Sequence, residues 1–362
     1  MKKILFFSLL GLLTIMSSCR DDDDNQIVPG GEQGVTGTPG AKGFYLLNEG
    51  GYGRNNASLD LYDAKAGIYY TNIYPERNPN VVKELGDTGN DLQIYKNRLY
   101  AVINGSNKVE IMTLDSAKHI ADVEVPNCRC ICFDDNYAYV TSFTGYVYKI
   151  DIVTTEVADS VEVGRQPEEA VVSDGKLYVV NSGGYGDYDN RLSIIDLATF
   201  TREKDVEVDI NLTGLKADGK GNLYISTPGD YYKTPSNLYV YNIAQGKVTD
   251  TLNIAASEMC IVGDSAYVYG SSFDFEEYEY TFNYNCIDLN TKKVTDAHFI
   301  PEGLKIGYLY GLYVNPSTRE FIIVDALNFT TSGKVYCISP DGKEVVWQAD
   351  AGVAPSRIAF LP

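Results

Sequence analysis

The side chains that ordinarily do covalent or metal chemistry are scarce in this sequence. Its 362 residues hold two histidines, His119 and His298. Both fall on predicted fourth strands at the outer rim of their repeats, so neither can serve a central imidazole-based catalytic or metal site. There is no Ser/His/Asp arrangement and no glycine-rich phosphate loop opening a helix. Acid pairs such as Asp187 with Asp189 and Glu276 with Glu277 make oxygen-rich loops that could hold Ca²⁺, but solvated loop charge is the simpler reading. Cys128, Cys130 and Cys132 alternate along a predicted strand and are expected to face the same way. Neighbours two apart on a strand lie ~6.6 Å apart, at the edge of disulfide reach and with poor side-chain direction. Small packing residues are the expected role, ahead of a soft-metal site. The expectation is therefore no metal, no cofactor, no disulfide and no catalytic residue: a binder, not an enzyme.

What the chain has in abundance is tyrosine, 29 of them. Many lie in polar segments rich in Gly, Asn, Asp and Ser, as at Tyr52, Tyr185, Tyr188, Tyr231, Tyr232, Tyr278, Tyr308 and Tyr310. Tyrosine offers rigid apolar area with a polar tip at low conformational cost, which suits a large ligand that is part apolar and part hydrogen-bonding. The same rings could instead pack on one another to hold long loops still. Which applies depends on the elements that position them.

Those elements are repeats. One phrase, an aromatic in a short apolar run before a polar loop, places its aromatic at Tyr45, Tyr100, Tyr139, Tyr178, Tyr224, Tyr267 and Phe321. A second follows each: an alternating strand ending in a short polar residue, as in Leu59–Asp63, Val109–Thr113, Val147–Asp151 and Leu192–Asp196. Such a residue can bond its own backbone and start a turn. With a third strand after it and a short strand before the first phrase, each unit has four strands. The spacing is near the ~40–45 residues of a propeller blade. The predicted fold is all-β: a seven-bladed β-propeller of four-stranded antiparallel blades. The first unit lacks its inner strand, and the chain ends in Ser356–Leu361, an inner strand with nothing after it. Placing that strand in the first blade, against Tyr45 and Leu47, closes the ring and removes an exposed sheet edge. All seven enlarged loops, 49–57, 75–90, 182–190, 227–236, 271–282, 301–310 and 326–332, then fall on one face, where binding residues usually sit.

The N-terminus has its own logic. Lys2 and Lys3 precede an apolar run from Ile4 to Met16, too short to span a bilayer, followed by Ser17, Ser18 and Cys19. Residues 1–18 read as a lipoprotein signal peptide and Cys19 as the lipidated residue. Asp21 to Asp24 follow. Gly31, Gly34, Gly37, Gly40 and Gly43 recur every third residue, but so few triplets cannot hold a triple helix, so 19–42 is expected to be a flexible tether to a propeller over 43–362. Formal net charge is −19, and loss of the leader's lysines makes it more negative. That excludes nucleic acid and an anionic membrane surface as partners, leaving membrane contact to the lipid anchor alone.

Gln166–Asn181, with its proline-led strand, Asp174-Gly175 turn and Leu177-Tyr178-Val179-Val180-Asn181 strand, resembles the YncE-like propellers. Phe44-Tyr45-Leu46-Leu47-Asn48-Glu49-Gly50 resembles the opening of surface-layer-type propeller lipoproteins of Bacteroidetes, and the acidic run resembles the export signal of surface lipoproteins there. The resemblance spans 43–362 and the anchor signals. Not every repeat fits: Pro167 has counterparts at Pro126 and Pro355 only, and Thr227 and Asp325 replace the strand-end Asn. Within that group the resemblance points to the BtuG-like cobalamin-binding surface lipoproteins. It implies an outer-membrane lipoprotein on the extracellular face that binds cobalamin or a related corrinoid and hands it to a BtuB-like TonB-dependent transporter. A surface glycan- or peptide-binding propeller is the alternative. The expected ligand contacts are Asn48, Glu49, Tyr52, Arg54, Asn90, Asp91, Tyr185, Tyr188, Tyr231, Tyr232, Phe275, Tyr278, Tyr308 and Tyr310, around the axial mouth.

Overall fold

The computed structural model describes residues 30–362 apart from 82–83 and 275–278. The leader, Cys19 and the acidic run lie outside the described residues, as do Phe275 and Tyr278. Among the described residues the strands form seven antiparallel sheets, one per repeat. The second blade shows the pattern: Gly89–Tyr95 innermost, then Arg98–Ile103, Lys108–Thr113 and His119–Glu124. Each inner strand touches that of the next blade around the full circle, so the seven sheets make a closed propeller.

The repeated aromatic explains why the blades stack. On the strand Arg98–Ile103, Leu99, Ala101 and Ile103 join a core with Tyr45 and Leu47 of the first blade, while Tyr100 and Val102 join one with Ala138 and Val140 of the third. A strand has period two, so one run of apolar residues serves both interfaces. The same division recurs with Tyr139, Tyr178 and Tyr224 against their following blades. Tyr267 and Tyr269 meet Phe321 and Ile323, and Ile322 and Val324 meet Phe44 and Leu46. A good share of the tyrosines thus belongs to the core. The polar residue that ends each third strand starts its turn as expected: Asp63 Oδ1 accepts from the amides of Lys65 and Ala66, and Asp151 Oδ1 from those of Val153 and Thr154.

The ring closes as the half-blades require. Pro355–Phe360 pairs with Phe44–Asn48. The register is one residue from the expected one: Ile358 lies opposite Leu46 and Phe360 opposite Phe44, with the irregularity between Leu47 and Asn48. The glycine-bearing segment is a correction too. Gly31–Gly34 pairs with Ile68–Thr71 as a fifth, outermost strand of the first blade. Gln33 adds two bonds to the main chain of Asp350 in the seventh. At least from Gly31 the chain is therefore part of the fold and not tether.

Two of the seven enlarged connections differ from expectation. Ser265–Asp274 and Glu279–Asp288 pair through Asp274 opposite Glu279, so 271–282 extends a hairpin. The connection into the second blade first forms a short helix, Ile73–Arg77, whose Ile73 and Tyr74 are buried between blades one and two. Asn78 then donates to Ala117 O at 3.0 Å, on the opposite face, before the chain returns to pair Gly86 with Ala57. Apolar Ile73, Tyr74 and Leu85 join the core between the first two blades, which draws the segment off the loop face.

The cysteines also depart from expectation. Cys128 packs towards the second blade and Cys132 towards the fourth. A register shift between Val140 and Ser142 changes the parity of the strand between them. All six described cysteines are free.

The seam between the first and last blades centres on Trp347, the chain's one tryptophan, 4.6 Å from the ring of Tyr62 and 6.3 Å from that of Phe44. Trp347→Ala is expected to cost about 3–5 kcal/mol of stability, read by urea unfolding followed by far-ultraviolet circular dichroism. Beside the seam, Asp60 is fully buried and accepts from Asn72 N and Tyr69 Oη at 2.8 Å each. Burial raises its carboxyl to about 6, against the pull of these bonds. The folded chain then holds a proton that the unfolded chain releases, so Asp60's contribution is full below about pH 4 and lost as pH rises through about 6, a change of about 3 kcal/mol. Asp60→Asn should flatten that part of the stability profile; equal pH slopes in the two proteins would contradict it.

Candidate functional site

The strand-to-strand connections that carry exposed aromatics gather at the end of the ring where the inner strands begin. Tyr52, Tyr185 and Tyr232 are 83%, 84% and 73% exposed. Each sits on a loop held by a carboxylate. Asp87 accepts the amide of Gly53 on both oxygens. Asp230 Oδ1 takes the amides of Tyr232, Lys233 and Thr234 at 2.7–2.8 Å. Asp189 takes Arg165 N and the guanidinium of Arg191, while Asp187 pairs with Arg165. The acid pair 187/189, read from sequence as a possible Ca²⁺ loop, is thus engaged by two arginines. Tyr231 adopts φ +63°, a left-handed conformation that bulky residues rarely take without such support.

Two aromatic groups result. Tyr185, Tyr188, Tyr231 and Tyr232 come together on the fourth and fifth blades, where Tyr185 raises the phenol of Tyr232 through a shared hydrogen bond. Tyr308, Tyr310 and Phe329 form a trio of edge contacts on the seventh, with ring centres 4.8–6.1 Å apart. Tyr310 Oη donates to Glu49 Oε2 at 2.6 Å, tying the trio to the first blade. Burial holds the Glu49 carboxyl above its usual range, against the pull of Tyr310, Arg129 and Arg357.

The remaining expected contacts divide. Asn90 lies at the mouth, its side chain accepting from Arg129 Nη1 at 2.7 Å and its carbonyl from Arg357 Nε at 3.2 Å. Arg54 is exposed on the Tyr52 loop. Asn48 is fully buried: it donates to Ser58 Oγ and accepts from Gly352 N, so its polar atoms hold strand ends together. A Cβ on Gly352 would meet Asn48 Cγ at 2.6 Å. Asp91 is buried too, and accepts from the amides of Leu92 and Ile131, joining the second and third blades.

Sequence reading missed the ring of charge inside the mouth. Arg129 grips Glu168 Oε2 through two nitrogens at 2.8 and 3.0 Å. Below, Lys216 bonds Glu169 at 2.9 Å, and Arg357 stands 3.9 Å from Glu169 and 3.7 Å from Glu258. Burial works against ionisation of Glu169, but Lys216 and Arg357 outweigh it and hold the carboxyl low; Glu258 is raised, because burial and the Glu169 charge outweigh the pull of Arg357 and Lys216. All six lie within the first three residues of their inner strands. Comparing those positions across repeats is the signal that would have found them.

His119 lies on its expected outer strand, and its Nδ1 is 2.6 Å from Glu110 Oε1. Glu110, His119 and Asp122 are close enough together to hold a metal ion. The Lys108 ammonium, 2.7 Å from Glu110 and 3.1 Å from Asp122, stands where such a cation would. His298 falls just beyond its strand, Lys293–Asp296.

A family profile described as a domain of unknown function (DUF5074) matches residues 42–346. The chain belongs to the DUF5074 family. No curated protein matches it. Among solved structures this DUF5074 chain is similar to a quinoprotein alcohol dehydrogenase-like protein from Bacteroides thetaiotaomicron, at 17% identity and TM-score 0.64, covering 88% of this chain and 78% of that one. It is also similar to the hydrazine synthase of Kuenenia stuttgartiensis, at 15% identity and TM-score 0.61, covering 75% and 89%. The Pan2 WD40 domain of Neurospora crassa matches at 10% identity and TM-score 0.53, covering 74% and 79%. At these identities the likeness is one of fold.

Because one carboxylate orders three successive amides, Asp230→Ala should speed hydrogen exchange at Tyr232–Thr234 by about tenfold or more, while global stability changes by less than about 1 kcal/mol. Unchanged exchange at those amides would show that the loop is held by other means.

Proposed function

We propose that this DUF5074 propeller is a binding protein of the cell surface, lipid-anchored through Cys19 in the outer membrane with its propeller on the extracellular side. On this reading it captures cobalamin or a related corrinoid on its loop-rich face and passes it to a BtuB-like TonB-dependent transporter. The observation that carries the binding role is the set of exposed tyrosines, Tyr52, Tyr185 and Tyr232, on loops whose backbones are already fixed by Asp87, Asp189 and Asp230. Large aromatic area left in water is costly unless something covers it, and a platform ordered beforehand loses little entropy on binding. A corrinoid is broad, with apolar faces and a rim of amides. Tyrosine rings suit the faces, while the carboxylate of Glu49 and the carbonyl-type acceptors of the mouth suit the amide N–H groups. The resemblance to surface propeller lipoproteins supplies the corrinoid assignment and the acidic run after Cys19 the location. The role is binding without catalysis.

A glycan or peptide would use the same aromatic platform, so the experiment must separate them. Titration calorimetry of the chain from residue 20 with cyanocobalamin should give saturable heat, and Tyr185→Ala or Tyr232→Ala should weaken binding by about 10–100-fold. No heat with cyanocobalamin, together with retention on a glycan array that cobalamin does not compete, would replace the corrinoid by a sugar.

A further inference from the structure

The opposite face carries a groove that the binding role does not use. It lies between the second and third blades, is lined by residues of their turns, and has a volume of about 560 Å³. Its apolar walls include Ile120 and Val153, 40% and 72% exposed. Lys96 and Arg98 supply two positive charges and Asp115 one negative charge, and Tyr100 also lines it.

Tyr100 is the informative residue. It is 1% exposed, and among the described residues its phenol, which lies beside the Arg98 guanidinium, has no acceptor for its hydrogen. A buried hydroxyl without a partner costs about 1–3 kcal/mol. The first repeat contains one solution: the equivalent Tyr45 donates to the carbonyl of Leu114 on the neighbouring blade at 2.9 Å, whereas the equivalent Tyr224 shares Tyr100's state. The carbonyl in that position for Tyr100 is Ile152 O; it accepts from Arg98 Nη1 at 2.6 Å and not from Tyr100. A guanidinium only donates, so Arg98 cannot take the phenol's hydrogen. The groove thus presents two cations against the single carboxylate of Asp115, a net positive charge, and an unclaimed O–H donor beside an apolar wall; Lys96 shares its ammonium with Asn136 at 3.1 Å.

We propose that this groove is a second binding site, for a small carboxylate with an apolar body, such as an arylacetic acid. The carboxylate accepts from Tyr100 Oη and lies against Lys96 and Arg98, and the body covers Ile120 and Val153. The volume falls in the range of small-molecule sites. The site is independent of the corrinoid reading, since it lies on the other face.

The probe is phenylacetate, titrated into the purified protein with ¹³C-methyl spectra of Ile120 and Val153 as the readout; phenethylamine, with the same body and the opposite charge, is the comparison. Phenylacetate should shift those methyls saturably, and phenethylamine should not. Tyr100→Phe should weaken phenylacetate about tenfold or more while leaving the melting temperature unchanged or higher, because it removes a buried hydroxyl whose hydrogen has no acceptor among the described residues. Lys96→Ala should weaken it as well. The proposal is overturned if the methyls do not respond, if phenethylamine binds equally well, if Tyr100→Phe binds phenylacetate like the parent, or if Tyr100→Phe lowers the melting temperature.

Discussion

No blade of this protein can bury its own faces. Each is a sheet of four strands, five in the first blade, apolar on both sides, and the second strand is where this is most acute: Leu99 and Tyr100, or Leu177 and Tyr178, point to opposite neighbours and both are buried. The interfaces are satisfied only if every blade has a neighbour on each side, which a linear row cannot provide and a ring can. Closure is therefore the constraint on which everything else rests. It fixes the placement of Pro355–Phe360 beside Phe44–Asn48, and it brings seven inner-strand beginnings to a single mouth.

Much of this was legible in the residues. The repeated aromatic and the strand-ending Asp, Asn, Ser and Thr mark strands two and three of each blade, and the missing half-blades at the two ends predict the seam. What escaped were shifts by a single residue. The pairing of the closing strand puts Ile358 opposite Leu46, one residue from the expected register, and the irregularity near Val140 turns Cys128 and Cys132 to different blades. Periodicity reports a strand's alternation but not where that alternation slips. The helix Ile73–Arg77 escaped because it is short and held by tertiary burial of Ile73 and Tyr74, not by helical pattern.

At the site the legibility divides by chemistry. Exposed tyrosines on long loops are visible from composition, and Tyr52, Tyr185 and Tyr232 are indeed exposed. Short polar residues are ambiguous: Asn48 and Asp91 have the composition of ligand contacts yet are buried in hydrogen bonds that join strands and blades. The charges inside the mouth, Arg129 with Glu168 and Lys216 with Glu169, come from different blades, so no local pattern announces them. Only the ring brings them within reach.

The strand Gly31–Gly34 bears on how the molecule carries load. It clasps the outer edge of the first blade while Gln33 reaches the seventh, so the seam is held at its periphery as well as at its axis. A pull on the chain from its N-terminal side would have to strip those pairings before any tension reached Phe44 and the hub. The segment acts as a strain relief, letting the ring stay shut while whatever precedes it is tugged.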